Sequence, residues 1–249
     1  GAGRSRPYAE VGDNSTQHLI ADIERLRRHL GVERWLVFGG SWGSLLALAY
    51  GIEHPERCAG FVLRGIFLGR DSELDWFLDG MKAVFPEAWR AFSGFLPEAE
   101  RGDILGSYHR RLMDPDPALH MPAAKVWNGY ESQCSTLMHE GGASSSRGPL
   151  APARIEVHYF HHRMFLEDGY LLANLSALCA IPAVIVQGRY DMICPIASAD
   201  ELSRAWPGAD YVIVPDAGHS ALEPGIRSAL VAAAEDIALE LLVDDEAGG

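Results

Sequence analysis

A serine lies among three glycines in the segment Gly39-Gly40-Ser41-Trp42-Gly43, with apolar residues on both sides. The pattern Gly-x-Ser-x-Gly is typical of a sharp turn between a buried strand and a helix, and this turn exposes the serine hydroxyl at the edge of a sheet. Such a serine becomes a nucleophile when a nearby base accepts its proton. A glycine-rich turn with an incidental serine is the alternative, and five residues alone do not exclude it.

A serine nucleophile requires a base, and the base requires an acid that orients it. Asp191 follows the apolar run PAVIVQG, and His219 follows the apolar run DYVIVP. Each run predicts a buried parallel strand, and active sites form where the carboxyl ends of such strands meet. The sequence therefore predicts a catalytic triad of Ser41, Asp191 and His219. Asp216 and Asp200 are weaker candidates for the acid, because the first lies in the histidine loop and the second in a predicted helix.

The expected chemistry is attack of the Ser41 hydroxyl on a carbonyl carbon, which places negative charge on the carbonyl oxygen. Backbone N–H groups at the start of a helix can stabilise that charge. Trp42 directly follows the nucleophile. Its N–H is therefore the expected first donor to the oxyanion.

Strand and helix patterns alternate in a way that places these residues on an α/β scaffold. Helical spacing predicts a first helix over 15–30, with N-cap oxygens available on Asn14, Ser15 and Thr16 and a capping box possible between Asn14 and Gln17. Apolar runs predict the strands. From about 71 to 178 the pattern is helical with Pro and Gly breaks, and the segment 141–152 predicts an exposed loop. The predicted organisation is an α/β core over 1–68, a helical cap over 69–180 and the resumed core over 181–249.

Composition limits the possible partners. The net charge is −13 and the isoelectric point is near 5.1, which argues against nucleic acid because phosphate binding needs basic residues. No apolar run reaches about 18 residues and no leader-like segment opens the sequence, so we expect neither a membrane partner nor secretion. The four cysteines are scattered without CxxC pairing, which is typical of reduced thiols in a cytoplasmic protein.

His158 and His162 are candidate metal ligands, because they are four residues apart. This spacing allows two ligands from one helix face, but the glutamate of the HExxH motif and a third ligand are lacking. The sequence therefore predicts no metal.

Several stretches, taken together, closely resemble the proline iminopeptidases of the α/β-hydrolase superfamily. The resemblance covers nearly the whole chain, through GAGRSRP, HLIADIERLRRHLGVERWLVFGGSWGSLLALAY, HPERCAGFVLRGIFLGR, ARIEVHYF, IPAVIVQGRYDMICP and VPDAGHSALEPGI. It implies an α/β-hydrolase core with a mostly parallel sheet and an inserted helical cap. It also implies release of N-terminal proline from a small peptide or amino-acid amide, without metal or cofactor.

The resemblance also implies a set of substrate-binding residues. Glu131 and Glu156 would accept hydrogen bonds from the proline ammonium, whose burial requires such compensation. Phe67, Phe160 and Cys194 would line an apolar pocket for the proline ring. Without the resemblance, the two glutamates would be interpreted as solvated helix carboxylates, and the other three residues as core positions.

The family's His-Gly-Gly-Pro-type loop, which gives a second oxyanion donor, and its first strands have no match in this sequence. The strand at 34–38 would then have an unpaired edge. We therefore expect an N-terminal segment to be supplied by the same longer polypeptide or by another chain. Triad and fold also leave open another esterase or amidase of this superfamily, since one scaffold serves many substrates. The missing oxyanion loop leaves open a catalytically silent hydrolase-like protein that binds a ligand.

Overall fold

The computed structural model describes residues 1–138 and 148–247, with side chains up to residue 241. Contacts divide the chain into two compact units. The helical unit comprises 1–18 and 70–168, and the sheet unit comprises 19–69 and 169–249. Compared with the sequence-based boundaries, the first 18 residues group with the helical unit, and 169–180 group with the sheet unit.

Within the described residues, the sheet unit contains four parallel strands in the order β1-β2-β3-β4. The strands are β1 (Trp35–Ser41), β2 (Cys58–Ile66), β3 (Ala183–Gly188) and β4 (Ala209–Val214). Among the described residues β1 pairs only with β2, and the side chain of Phe38 on β1 is 58% exposed. The predicted strand at 34–38 extends further than expected, because its pairing with β2 continues to Ser41 opposite Ile66.

Alternating side chains of the strands pack against helices on both faces of the sheet. Val62 on β2 lies in a cluster with the last helix, α10 (Pro224–Ala247), whereas its neighbour Phe61 makes an edge contact with Trp206 at 5.5 Å between ring centres. Such two-sided burial explains why β2 and β3 are apolar without alternation. The other helices of the sheet unit that follow β1 are α2 (Trp42–Glu53), α8 (Tyr170–Ala173) and α9 (Ile196–Ala205).

Helix α1 (Thr16–Leu30) precedes β1 and carries a buried ion pair. The Arg27 guanidinium donates to the Glu24 carboxylate at 2.7 and 2.9 Å, and the Tyr50 hydroxyl donates to the same carboxylate at 2.9 Å. These bonds compensate the burial of both charges.

The capping of α1 differs from the predicted Asn14/Gln17 capping box. Ser15 Oγ accepts from the backbone N–H of His18, so serine caps the helix. The Asn14/Gln17 capping box is wrong, because Asn14 Oδ1 accepts from the Tyr159 hydroxyl and the Gln17 amide donates to the Phe165 carbonyl.

The helical unit contains five α-helices among its described residues, with short 3₁₀ turns between some of them. They are α3 (Asp71–Leu78), α4 (Pro86–Gly94), α5 (Ile104–Met113), α6 (Pro117–Cys134) and α7 (Leu150–His161). Stacked and edge-on aromatic rings form the core of this unit, including Phe92 against Tyr108 at 4.7 Å and against Tyr130 at 4.3 Å between ring centres. Helix α4 was not predicted separately; it begins with a proline in its first turn.

Residues 141–147 of the loop predicted at 141–152 lie outside the described residues. Its last part is not a loop, because α7 begins at Leu150 and includes Pro152 in its first turn, where proline is tolerated. In the described parts of the chain, no helix has both the length and the apolar composition that crossing a bilayer demands.

Candidate active site

Ser41 occupies a sharp turn between β1 and α2. Its backbone angles are φ 58° and ψ −128°, a region that residues with a Cβ rarely adopt. Close approach explains the glycines around it, since a Cβ on Gly39 would lie 2.3 Å from the carbonyl oxygen of Gly43. Ser44 supports the turn, because its hydroxyl donates to the Ser41 carbonyl at 2.6 Å and accepts from the Phe67 N–H at 3.0 Å.

His219 connects Ser41 to Asp191. Its Nε2 lies 3.0 Å from Ser41 Oγ, and its Nδ1 lies 2.8 Å from Asp191 Oδ2. Both His219 and Asp191 are buried. With the Nδ1 proton directed at the carboxylate, Nε2 is left to accept the serine proton, which is the arrangement that general-base activation of a serine requires.

The two other acids considered from the sequence lie elsewhere. Asp200 is on α9 and pairs with Arg204 at 3.1 Å, and Asp216 is exposed. The hydrogen bond to the histidine is made by Asp191.

Arg64 and Gln187, two polar residues that were not predicted as functional, contact His219 and Asp191. Arg64 Nη1 donates to the His219 carbonyl at 2.9 Å and lies 3.2 Å from its Nε2. Gln187 Nε2 lies 3.2 Å from Asp191 Oδ2. Each is the single polar residue near the carboxyl end of an otherwise apolar strand and directly precedes a glycine. A polar side chain in such a buried position needs a specific partner, and this signal could have identified both.

Gly65 allows the catalytic loops to approach β2. Its φ is +54°, and a Cβ there would lie 3.1 Å from the His219 ring and 3.2 Å from Asp191 Oδ2. A side chain at this position would therefore be strained and would press on both groups.

The remaining predicted residues of the sheet unit lie near the turn. Trp42 is the first residue of α2, so its N–H belongs to the first helical turn, where N–H groups point out of the helix. Phe67 directly follows β2 and is buried. Cys194 is buried, and its Sγ lies 4.0 Å from Ser41 Oγ.

Glu131, Glu156 and Phe160 belong to the helical unit, on α6 and α7. The Trp127 indole N–H donates to Glu156 Oε2 at 2.5 Å, and the Phe160 ring lies edge-on to Phe77 at 5.3 Å between ring centres. Burial, together with the nearby Glu131 carboxylate, raises the pKa of Glu156 well above its ordinary value. A cation bound beside the two glutamates would favour their charged forms.

The histidine pair considered for a metal is engaged with backbone groups. His158 Nε2 lies 2.8 Å from the Asn14 carbonyl, and His162 Nδ1 lies 2.8 Å from the His158 carbonyl. Across the described portion of the chain, no three His, Cys, Asp or Glu side chains are grouped so as to hold a metal ion.

The sequence and the fold both match known proteins. The family model described as alpha/beta hydrolase fold matches residues 1–225. A solved alpha/beta-fold family hydrolase from Bacillus anthracis str. Sterne superposes with a TM-score of 0.62 at 19% identity, covering 92% of this chain and 77% of that one. The chain therefore belongs to the α/β-hydrolase fold family.

Relatives of higher identity define the subgroup. A probable proline iminopeptidase from Leptolyngbya boryana is 48% identical over 241 residues, covering 94% of this chain and 75% of the relative. A proline iminopeptidase from Arabidopsis thaliana is 48% identical over 242 residues, covering 94% of this chain and 64% of the relative. Within the α/β hydrolases, the chain belongs to the proline iminopeptidase family.

Proposed function

We propose that this chain is a serine aminopeptidase that releases N-terminal proline from peptides or amino-acid amides. The observation that carries the proposal is the hydrogen-bonded series Ser41, His219 and Asp191, with 3.0 and 2.8 Å separations, in a member of the proline iminopeptidase family. The family supplies the expected substrate, and the series of side chains supplies a chemistry that cleaves it.

Ser41 Oγ attacks the carbonyl carbon of the proline residue while His219 Nε2 takes the hydroxyl proton. His219 then delivers that proton to the leaving amine, which departs as the shortened peptide, and proline remains as an ester on Ser41. Water attacks this ester with His219 again as the base, so that proline leaves and the Ser41 hydroxyl is restored. Asp191 keeps the Nδ1 proton in place and stabilises the charged imidazole.

The backbone N–H of Trp42 donates to the oxyanion that forms at each attack. It belongs to the first turn of α2, where the helix dipole also favours negative charge.

Glu131 and Glu156 receive the secondary ammonium of the substrate. Glu156 supports this role because burial and the Glu131 charge disfavour its ionised form until a cation arrives. The binding of an ammonium therefore gains both a charge-assisted hydrogen bond and the relief of repulsion between carboxylates. The family resemblance assigns Phe67, Phe160 and Cys194 to the proline ring, and each of these side chains is buried within its own unit.

The test compares two substrates in one variant. Glu156→Gln should lower kcat/KM for a proline arylamide by about 10–100-fold, because a hydrogen bond to a charged group is lost. The same variant should leave hydrolysis of a simple acetate ester within about twofold, because the ester carries no ammonium. Equal losses on both substrates would contradict the role of Glu156.

A matched control and a labelling experiment complete the test. Glu98→Gln, an exposed glutamate of the helical unit, should change neither rate. A fluorophosphonate should label the protein covalently and should fail to label Ser41→Ala. No labelling of the parent protein would favour a catalytically silent binding protein, and labelling that persists in Ser41→Ala would contradict Ser41 as the nucleophile. A preference for acyl esters over all arylamides would favour an esterase.

A further inference from the structure

Gln187 lies at the carboxyl end of β3 and is fully buried. Both ends of its side-chain amide are used. Oε1 accepts from the Ile66 backbone N–H at 3.0 Å, and Nε2 donates to the Cys194 carbonyl at 2.9 Å and to Asp191 Oδ2 at 3.2 Å. Three hydrogen bonds from a buried amide fix its position more strongly than packing alone.

The partners also determine which way the amide faces. The Ile66 N–H can only donate, so it requires the amide oxygen, and the Cys194 carbonyl can only accept, so it requires the amide nitrogen. Nε2 must therefore be the atom that faces Asp191.

The course of β2 explains why Ile66 is available to the glutamine. The parallel pairing between β2 and β3 ends at Arg64 opposite Val186, and Gly65 then turns the chain with φ +54°. Ile66 is still paired with Ser41 on β1. Gln187 thus ties the strand beside the serine to the loop that carries the acid.

Among the described residues, three donors hold the Asp191 carboxylate. Oδ1 accepts from the Cys194 N–H at 2.8 Å, and Oδ2 is shared by His219 Nδ1 and Gln187 Nε2. The side chain of Asp191 is fully buried, so each lost donor leaves charge without compensation. Without Gln187, the plane of the carboxylate would be fixed at one oxygen by Cys194 and at the other only by the histidine that it is meant to orient.

We propose that Gln187 is a positioning residue of the triad, which holds the Asp191 carboxylate in the orientation that receives the His219 Nδ1 proton. Its hydrogen bonds reach the acid and its loop, so it acts on the reaction through Asp191. This inference rests on the triad assigned under the proposed function.

The experiment measures the rate constant for fluorophosphonate labelling of Ser41, together with kcat and KM for an acyl ester. These readouts report on serine activation and do not require recognition of proline. Gln187→Met should lower the labelling rate constant and kcat by about 10-fold or more while KM stays within about twofold, because the loss is confined to the reacting geometry. Gln133→Met is the matched control, since Gln133 is an exposed glutamine on α6, and it should change neither quantity.

A double-mutant cycle separates positioning from general damage. In the Asp191→Asn background, adding Gln187→Met should cause no further loss, because the group through which Gln187 acts is already gone. If the labelling rate constant of the double variant falls by the product of the two single losses, the proposal is overturned. A wild-type labelling rate in folded Gln187→Met would also overturn it.

A second variant covers the case in which Gln187→Met fails to fold. Gln187→Asn keeps a neutral amide but is one methylene shorter, so it cannot reach Ile66 and Asp191 together and should slow labelling at pH 8 by about 10-fold or more. An unchanged rate in this variant would overturn the proposal. Failure of the proposed function gives a different pattern, in which Ser41→Ala is still labelled or Asp191→Asn reacts at the wild-type rate.

Discussion

The imidazole of His219 donates from Nδ1 to the buried carboxylate of Asp191 across 2.8 Å, and this single contact determines which ring nitrogen faces Ser41. Asp191→Asn should therefore lower kcat/KM by about 10⁴-fold on esters and arylamides alike, because an amide at 191 can favour the wrong tautomer of the ring. Steady-state kinetics on both substrates provide the measurement. Asp216→Asn is the control and should stay within about twofold, and a reversed order of the two losses would contradict the assignment of the acid.

Gly65 should be intolerant of a single added methyl group. Gly65→Ala combines a positive φ with a Cβ about 3 Å from His219 and Asp191, so we expect kcat to fall by about 10²-fold or more as the two side chains are displaced. Gly94→Ala, a helical glycine with open space around it, should keep full activity. Comparable kcat values for the two variants would show that the close approach has no role in the reaction.

The Glu24–Arg27 pair on α1 should make the free energy of unfolding depend on pH in the acid range. The hydrogen bonds from Arg27 lower the pKa of Glu24 to about 2, below its unfolded value of about 4.3. The stabilisation is therefore complete above the unfolded pKa and is lost as the pH falls through about 2.

Glu24→Gln tests this contribution at neutral pH. The free energy of unfolding at pH 7 should be about 3 kcal/mol lower in the variant than in the parent protein, because the buried Arg27 guanidinium is left without a carboxylate. The difference between the variant and the parent protein should narrow below pH 4 in urea titrations. A constant difference from pH 7 to pH 2 would contradict the linkage.

His109 should lower the stability of the helical unit at mildly acidic pH. His109 stacks on His161 at 3.9 Å between ring centres, and His158 and His162 are nearby. Burial first, and then the neighbouring histidines, lower the pKa of His109 to about 4. The folded protein therefore resists a proton that the unfolded chain accepts near pH 6.5, so stability falls as the pH drops from about 6.5 toward 4.

His109→Gln should reduce this decrease, because glutamine takes up no proton. The measurement is Tm by circular dichroism between pH 7 and pH 4. His29→Gln, on the exposed last turn of α1, should follow the pH dependence of the parent protein. Parallel curves for all three proteins would count against His109 as the source.

The predictable part of this molecule follows from local patterns. The apolar run CAGFVLRGI predicts a buried strand over 58–66, and β2 has these bounds and is buried along nearly its whole length. The turn at Ser41 and the loops that carry Asp191 and His219 were similarly predictable, since each follows a strand. The expected burial holds for β3, but β1 and β4 are only partly buried. The family relationship was also predicted correctly from the sequence, and the matches at 48% identity confirm it.

The remainder depends on contacts between distant segments. Gln187 bonds Ile66, which is 121 positions away in the sequence, and Arg64 contacts His219, which is 155 positions away. A pattern within a short stretch of sequence cannot predict either pair. The capping box at Asn14 failed for the same reason, because Tyr159 takes the side-chain oxygen that a local rule assigns to the helix. Helix α4 was not predicted separately because its 9 residues are fewer than the roughly 11–18 over which helical periodicity is judged.

The backbone at Ser41 has a consequence for the inactive forms of the protein. Alanine normally gives a more stable fold than glycine, since it restricts the unfolded chain. At φ 58° and ψ −128° the order should invert, with Ser41→Gly unfolding at about 1 kcal/mol higher free energy than Ser41→Ala, because only glycine occupies this conformation without strain. The nucleophile would then stand at a position where the scaffold itself favours having no side chain, so the conformation there reflects selection for reactivity at the expense of thermodynamic robustness.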